Sequence, residues 1–167
     1  MQPYDQPTYA LAPDLLLTPD GPQTGQVLVV QDGKIAGVGA SAAVMPAFPN
    51  LRPTTLPGMA IIPGMVDTHN HAGQTFGKSL ICGEPSQIWR RIWVPLEDAL
   101  DENRSYIAAK WMFLESLRGG FTTLVNFNRN SFDNNEAVHR AAADTGIRLV
   151  SGVGATSEFE SAPDGAD

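Results

Sequence analysis

Two histidines one residue apart, His69 and His71, are the side chains of this sequence best placed to do chemistry. Imidazole nitrogen is a ligand for divalent ions such as zinc or iron. Side chains on a strand alternate between faces, so His69 and His71 share a face with Met65 and Asp67, while Val66, Thr68 and Asn70 take the other. Two imidazoles then converge, and at the carboxyl end of a parallel strand such a pair sits where the catalytic groups of α/β barrels collect. A bare His-x-His also arises by accident in unrelated α/β domains, and on these two residues alone that reading stays open.

The elements that must position the pair follow from the flanking pattern. The run Ala60 to His71 passes from apolar to polar, as a buried strand does on reaching a functional rim. From Asp101, an N-cap residue type, to Arg118, the residues Ile107, Trp111, Leu114 and Leu117 recur at helical spacing, and Gly119-Gly120 ends the helix. A strand over 122–127, a polar loop over 128–133, a second helix over 134–145 stopped by Gly146, and a strand over 147–151 complete the series. Strands alternating with helices predict parallel pairing through right-handed crossovers. Upstream, residues 8–62 read as β-structure. Asp32-Gly33 lies between two apolar runs and predicts a tight hairpin in a small antiparallel sheet, and 40–53 reads as a connection.

Composition narrows the function. With 11 Lys and Arg against 18 Asp and Glu, the net charge of −7 opposes broad contact with nucleic acid or anionic lipid. A single cysteine, Cys82, excludes an intrachain disulfide and a multi-thiolate zinc site. No apolar run approaches a membrane span, and the start at Met1 lacks signal-peptide character, so the expected location is cytoplasmic. At 167 residues the chain is shorter than the roughly 250 of an eight-stranded α/β barrel, so the barrel is expected to be incomplete, with a loop-like tail from Glu158 to Asp167.

The segment Pro63-Gly64-Met65-Val66-Asp67-Thr68-His69-Asn70-His71 resembles the first-strand signature of the amidohydrolase superfamily, Pro-Gly-x-x-Asp-x-His-x-His. The hairpin around Asp32-Gly33-Lys34-Ile35 is similar to the small β-sandwich of that superfamily, and His71-Ala72-Gly73-Gln74-Thr75 resembles a stretch of its triazine and purine aminohydrolase branch. The resemblance implies an α/β fold: an amino-terminal β-sandwich portion over 1–60, then the first strands and helices of a TIM (β/α)8 metal-dependent hydrolase barrel over 61–167.

The same resemblance implies one divalent metal ion, zinc or alternatively iron, held by His69 and His71 together with ligands beyond this portion. The metal would activate water for attack on a small N-heterocyclic substrate and release an amino or similar group. It implies a substrate-binding role for Gln74, whose amide offers donors and an acceptor, although a solvated loop amide reads the same way. Trp89 and Trp93 are placed by the resemblance in a segment covering the pocket, where they could stack on a flat ring. Two tryptophans four apart equally anchor one helical turn to a core. Asn126, Asn128, His139 and Cys82 receive no role, although Asn126 and Asn128 are expected at the rim. A homo-oligomer, or a second chain completing the barrel, is the expected assembly. The competing reading is a non-catalytic or split-subunit piece.

Overall fold

The computed structural model describes residues 5–84, 87–128 and 132–153. The expected tail 158–167, the start Met1–Tyr4 and the middle of the expected loop lie outside the described residues. The chain divides into two compact units, Met1–Pro63 and Gly64–Asp167.

The first unit is one five-stranded sheet: β1 (Thr8–Thr18), β2 (Gly21–Gln23), β3 (Gln26–Gln31), β4 (Lys34–Ala40) and β5 (Thr54–Ile61). The path β2-β1-β3-β4 is antiparallel throughout, and β5 adds to β1 in parallel. Gln31 pairs with Lys34 across the hairpin, and Asp32 and Gly33 both take positive φ, 50° and 73°, as a two-residue type I′ turn needs. A short helix, α1 (Ser41–Val44), lies in the connection. Ala10, Pro13, Leu16, Val27 and Val29 are buried in this unit. Where β1 slips register between Pro13 and Leu15, the Asp14 carboxylate accepts the Gly58 N–H at 2.7 Å.

Residues 60–71 do not form one buried strand. Ala60 and Ile61 pair with Leu15 and Leu16 in the first sheet, and a new strand, β6 (Met65–Asn70), begins after a break at 62–64. Pro63 has no N–H for a ladder. At Gly64 a Cβ would lie 2.2 Å from Thr122 Oγ1, so the chain passes too close to its neighbour for any side chain. Met65 and Val66 are exposed, at 39% and 57%, because among the described residues β6 has a paired neighbour on one side only.

In the second unit a π-helical turn (Trp89–Trp93) leads into α2 (Val94–Asp98) and α3 (Glu102–Arg118); β7 (Phe121–Asn128), α4 (Phe132–Thr145) and β8 (Arg148–Val153) follow. The strands order β6-β7-β8, all parallel, as the alternation of patterns predicts. Asp101 caps α3 by accepting the Arg104 N–H at 2.8 Å, and Gly146 ends α4 with φ 78°. The core joins α3, α4 and β7 through Ala109, Met112, Phe113, Leu124, Val138 and Ala141.

Of the residues whose spacing marks α3, only Leu117 packs against the core. Ile107, Trp111 and Leu114 are 45%, 48% and 48% exposed, whereas Ser105, Ala108, Ala109, Met112 and Phe113 are buried. The helix is apolar over much of its circumference, so hydrophobic spacing does not choose the side that packs. Its inward face combines small residues with Met112 and Phe113, and there Ala109 shares a cluster with Ala141 and Ala142 of α4.

Candidate metal centre

β6 carries His69 and delivers His71 immediately after its last residue, and side-chain hydrogen bonds shape its end. Asp67 Oδ1 accepts the His69 N–H at 3.1 Å and Oδ2 accepts the Asn70 side-chain N–H at 2.7 Å, so this carboxylate ties down the last residues of the strand. His71 follows in extended conformation, and the His69 and His71 Nε2 atoms come within 3.0 Å. Two nitrogens each about 2.0–2.1 Å from a shared zinc ion can be no more than roughly 4.2 Å apart, which this pair satisfies.

A second contact sets the protonation of one ring. His71 Nδ1 lies 2.8 Å from the main-chain oxygen of Phe127, at the end of β7. A carbonyl can only accept, so Nδ1 carries the hydrogen and a neutral His71 presents a lone pair at Nε2. Metal-ligating histidines are commonly oriented in this way by a carbonyl behind them. The donor set therefore fits a divalent ion of the zinc class. Among the described residues, no group of three or more His, Cys, Asp or Glu gathers around a common point.

Beyond His71 the chain turns into a 3-10 helix, Ala72–Gly77. Gln74 N–H returns to the His71 carbonyl at 3.1 Å, and the Gln74 side-chain nitrogen donates at 2.8 Å to Glu97 Oε1. Glu97 is 2% exposed, and it approaches closely because residue 73 is glycine: a Cβ there would meet Glu97 Cγ at 3.2 Å. Trp93 packs over Gly77, where a Cβ would lie 2.4 Å from the indole.

His69, His71, Gln74 and Trp93 line one cleft of about 540 Å³, with Asp67 and Thr75. Trp89 does not line it and is 38% exposed. Lys78 and Glu115 form an ion pair at the cleft wall. The hydrogen bond from Lys78, and after it one from the Trp111 indole, holds the Glu115 carboxyl below the usual carboxylate range. His139 and Cys82 are exposed on the surface.

The sequence pattern assigns no role to three groups around the site. Glu97 is one, and the Phe127 main-chain oxygen another. The third is Asn126, expected at the rim but in fact 0% exposed, with Oδ1 accepting the Ala72 N–H at 2.7 Å. Its signal was alternation: Asn126 shares a face with Leu124, which is wholly buried.

A parallel α/β unit with paired imidazoles at the end of its first strand defines a class, and comparison with known proteins agrees. The family model described as Amidohydrolase family matches residues 60–165, and the chain belongs to that family. A 5-methylthioadenosine/S-adenosylhomocysteine deaminase of Archaeoglobus fulgidus is 34% identical over 137 residues, covering 80% of this chain and 29% of that protein. The crystal structure of guanine deaminase from Bradyrhizobium japonicum superposes with a TM-score of 0.72 at 23% identity, over 89% of this chain and 35% of its own. An atrazine chlorohydrolase from Arthrobacter aurescens, complexed with zinc and atraton, gives 0.68 at 19%, over 86% and 35%. At those identities the two superpositions show the fold alone. The chain spans about a third of the length of the curated relatives it matches.

Proposed function

We propose that this chain supplies the first metal ligands of a metal-dependent hydrolase that removes an amino or similar group from a carbon–nitrogen bond of a small N-heterocyclic substrate. His69 and His71 hold one divalent ion, zinc in the first instance and iron as the alternative. The observation carrying this reading is the Nε2 pair at 3.0 Å, with the His71 tautomer set by Phe127. When bound, such an ion supplies Lewis acidity that brings the pKa of water toward neutrality. Relatives named as deaminases support the reaction class.

The remaining residues bind and orient. Gln74, held by Glu97, meets polar atoms of the heterocycle; Trp93 offers an aromatic wall to the cleft, and Trp89 a more distant one. In this reading residues 1–60 contribute to a β-sandwich and 61–167 to a (β/α)8 barrel. The exposed edge of β6 is then covered by further barrel strands, from the same polypeptide or a second chain, and the assembly is a cytoplasmic homo-oligomer.

Metal analysis of His69→Ala/His71→Ala against the unmodified protein tests the proposal. Loss of bound metal is expected, and unchanged stoichiometry overturns it.

A further inference from the structure

We infer that Asn126 is a positioning residue for His71, an inference that rests on the metal-site reading above. Two consecutive residues of β7 grip two consecutive residues after β6. Asn126 Oδ1 accepts the Ala72 N–H at 2.7 Å, and the adjacent Phe127 main-chain oxygen takes the His71 Nδ1 hydrogen at 2.8 Å. Together they hold the backbone immediately after the ligand and the back of its ring.

The burial of Asn126 is otherwise unexplained. It is 0% exposed, beside the apolar Leu124, and its Nδ2 has no hydrogen-bond partner among the described residues. Burying an unpaired amide hydrogen costs stability, and an apolar residue of similar volume would avoid that cost. What the apolar residue could not do is meet the Ala72 N–H. Ala72 is itself 0% exposed, at the first step of the 3-10 turn, so no solvent can substitute for the lost acceptor. Without it the peptide at 71–72 loses its anchor to β7 and is held only by the hydrogen bonds of Gln74 and Thr75 within its own 3-10 turn, so the imidazole shifts away from the carbonyl that selects its tautomer.

The test uses the full chain with two substitutions: Asn126→Leu keeps the volume and deletes the acceptor, and Asn126→Asp keeps the acceptor. The ring nitrogens of His71 are followed by 15N NMR in zinc-free protein, and affinity is measured with zinc ion alone. The unmodified chain should show a single Nδ1–H tautomer. Asn126→Leu should shift it toward a two-tautomer average and weaken zinc binding by about 10- to 100-fold, while Asn126→Asp stays close to the parent on both counts. A folded Asn126→Leu protein with the parent's tautomer overturns the inference. If Asn126→Leu does not fold, Asn126→Thr, too short to reach Ala72, is judged by the same criterion. Loss of fold in all three also overturns it, because Asn126 would then support the fold and not the ligand. A tautomer change in a chain whose parent binds no zinc leaves the positioning role standing and removes the metal reading.

Discussion

The side-chain nitrogen of Gln74 donates to Glu97 Oε1 at 2.8 Å, joining a residue three places after the second histidine to a buried carboxyl on α2. An amide has a donor end and an acceptor end, and a carboxylate oxygen engages only the donor end. Glu97 thereby sets which way Gln74 faces. Glu97→Gln restores a group that can bond either end, so Gln74 loses its fixed orientation. The expected outcome in the whole protein is a raised KM for the preferred heterocycle with metal content unchanged; steady-state kinetics alongside metal analysis check it.

Gln74→Ala removes the amide altogether. If Gln74 binds substrate as proposed, losing that hydrogen bond should lower kcat/KM by the equivalent of about 1–3 kcal/mol in transition-state binding, again without loss of metal. Full kcat/KM in the variant would place substrate recognition elsewhere in the cleft.

Gly77→Ala should destabilise the protein by about 1–3 kcal/mol, the range for forcing extra volume into a packed site. The added methyl would sit 2.4 Å from the Trp93 indole and 2.7 Å from Leu96, and a bicyclic ring cannot yield as a flexible chain end does. Thermal unfolding measures the effect, and Gly77→Ala combined with Trp93→Leu should recover part of it.

A pH-dependent contribution comes from the surface between α3 and α4. Asp144 accepts the Tyr106 hydroxyl at 2.5 Å and lies 3.4 Å from Lys110 Nζ. The Tyr106 hydrogen bond first, and the one from Lys110 second, hold its carboxyl below the ordinary 3.8. A depressed folded-state value means a contribution fully present above the unfolded value and lost as pH falls through the lower, folded one. Asp144→Asn should therefore be less stable than the parent at neutral pH, and the difference should shrink as pH falls below the ordinary 3.8 in urea unfolding.

How much of this was legible in the sequence depended on the kind of signal. The convergence of His69 and His71 follows from residue type and strand alternation, and the Asp32-Gly33 turn from the positive φ both positions require. Ala60 and Ile61 fall both in the first β-region over 8–62 and in the run leading to His71, because an apolar run does not say which neighbour it will pair with; the structure gives them to the first sheet. Ile107, Trp111 and Leu114 mark a helix correctly, but volume alone does not identify its packed side. Glu97 lies 23 residues from Gln74, and no local pattern links them. The Phe127 carbonyl has no side-chain identity to read at all.

That last contact gives the site an unusual tolerance. What Phe127 contributes to the tautomer of His71 is a peptide oxygen, which every amino acid possesses, so a change of side chain at 127 that keeps the strand in place leaves that hydrogen bond available. The vulnerable quantity is alignment: β7 is locked to β8 by six successive pairs from Thr123–Arg148 to Asn128–Val153. Adding or deleting one residue within that stretch would turn the carbonyl at 127 to the opposite edge and every side chain to the opposite face. The tautomer contact of this histidine is thus indifferent to spelling at position 127 and sensitive to counting along the strand, even though the Phe127 ring itself lies 5.1 Å from His69 and 6.3 Å from His71.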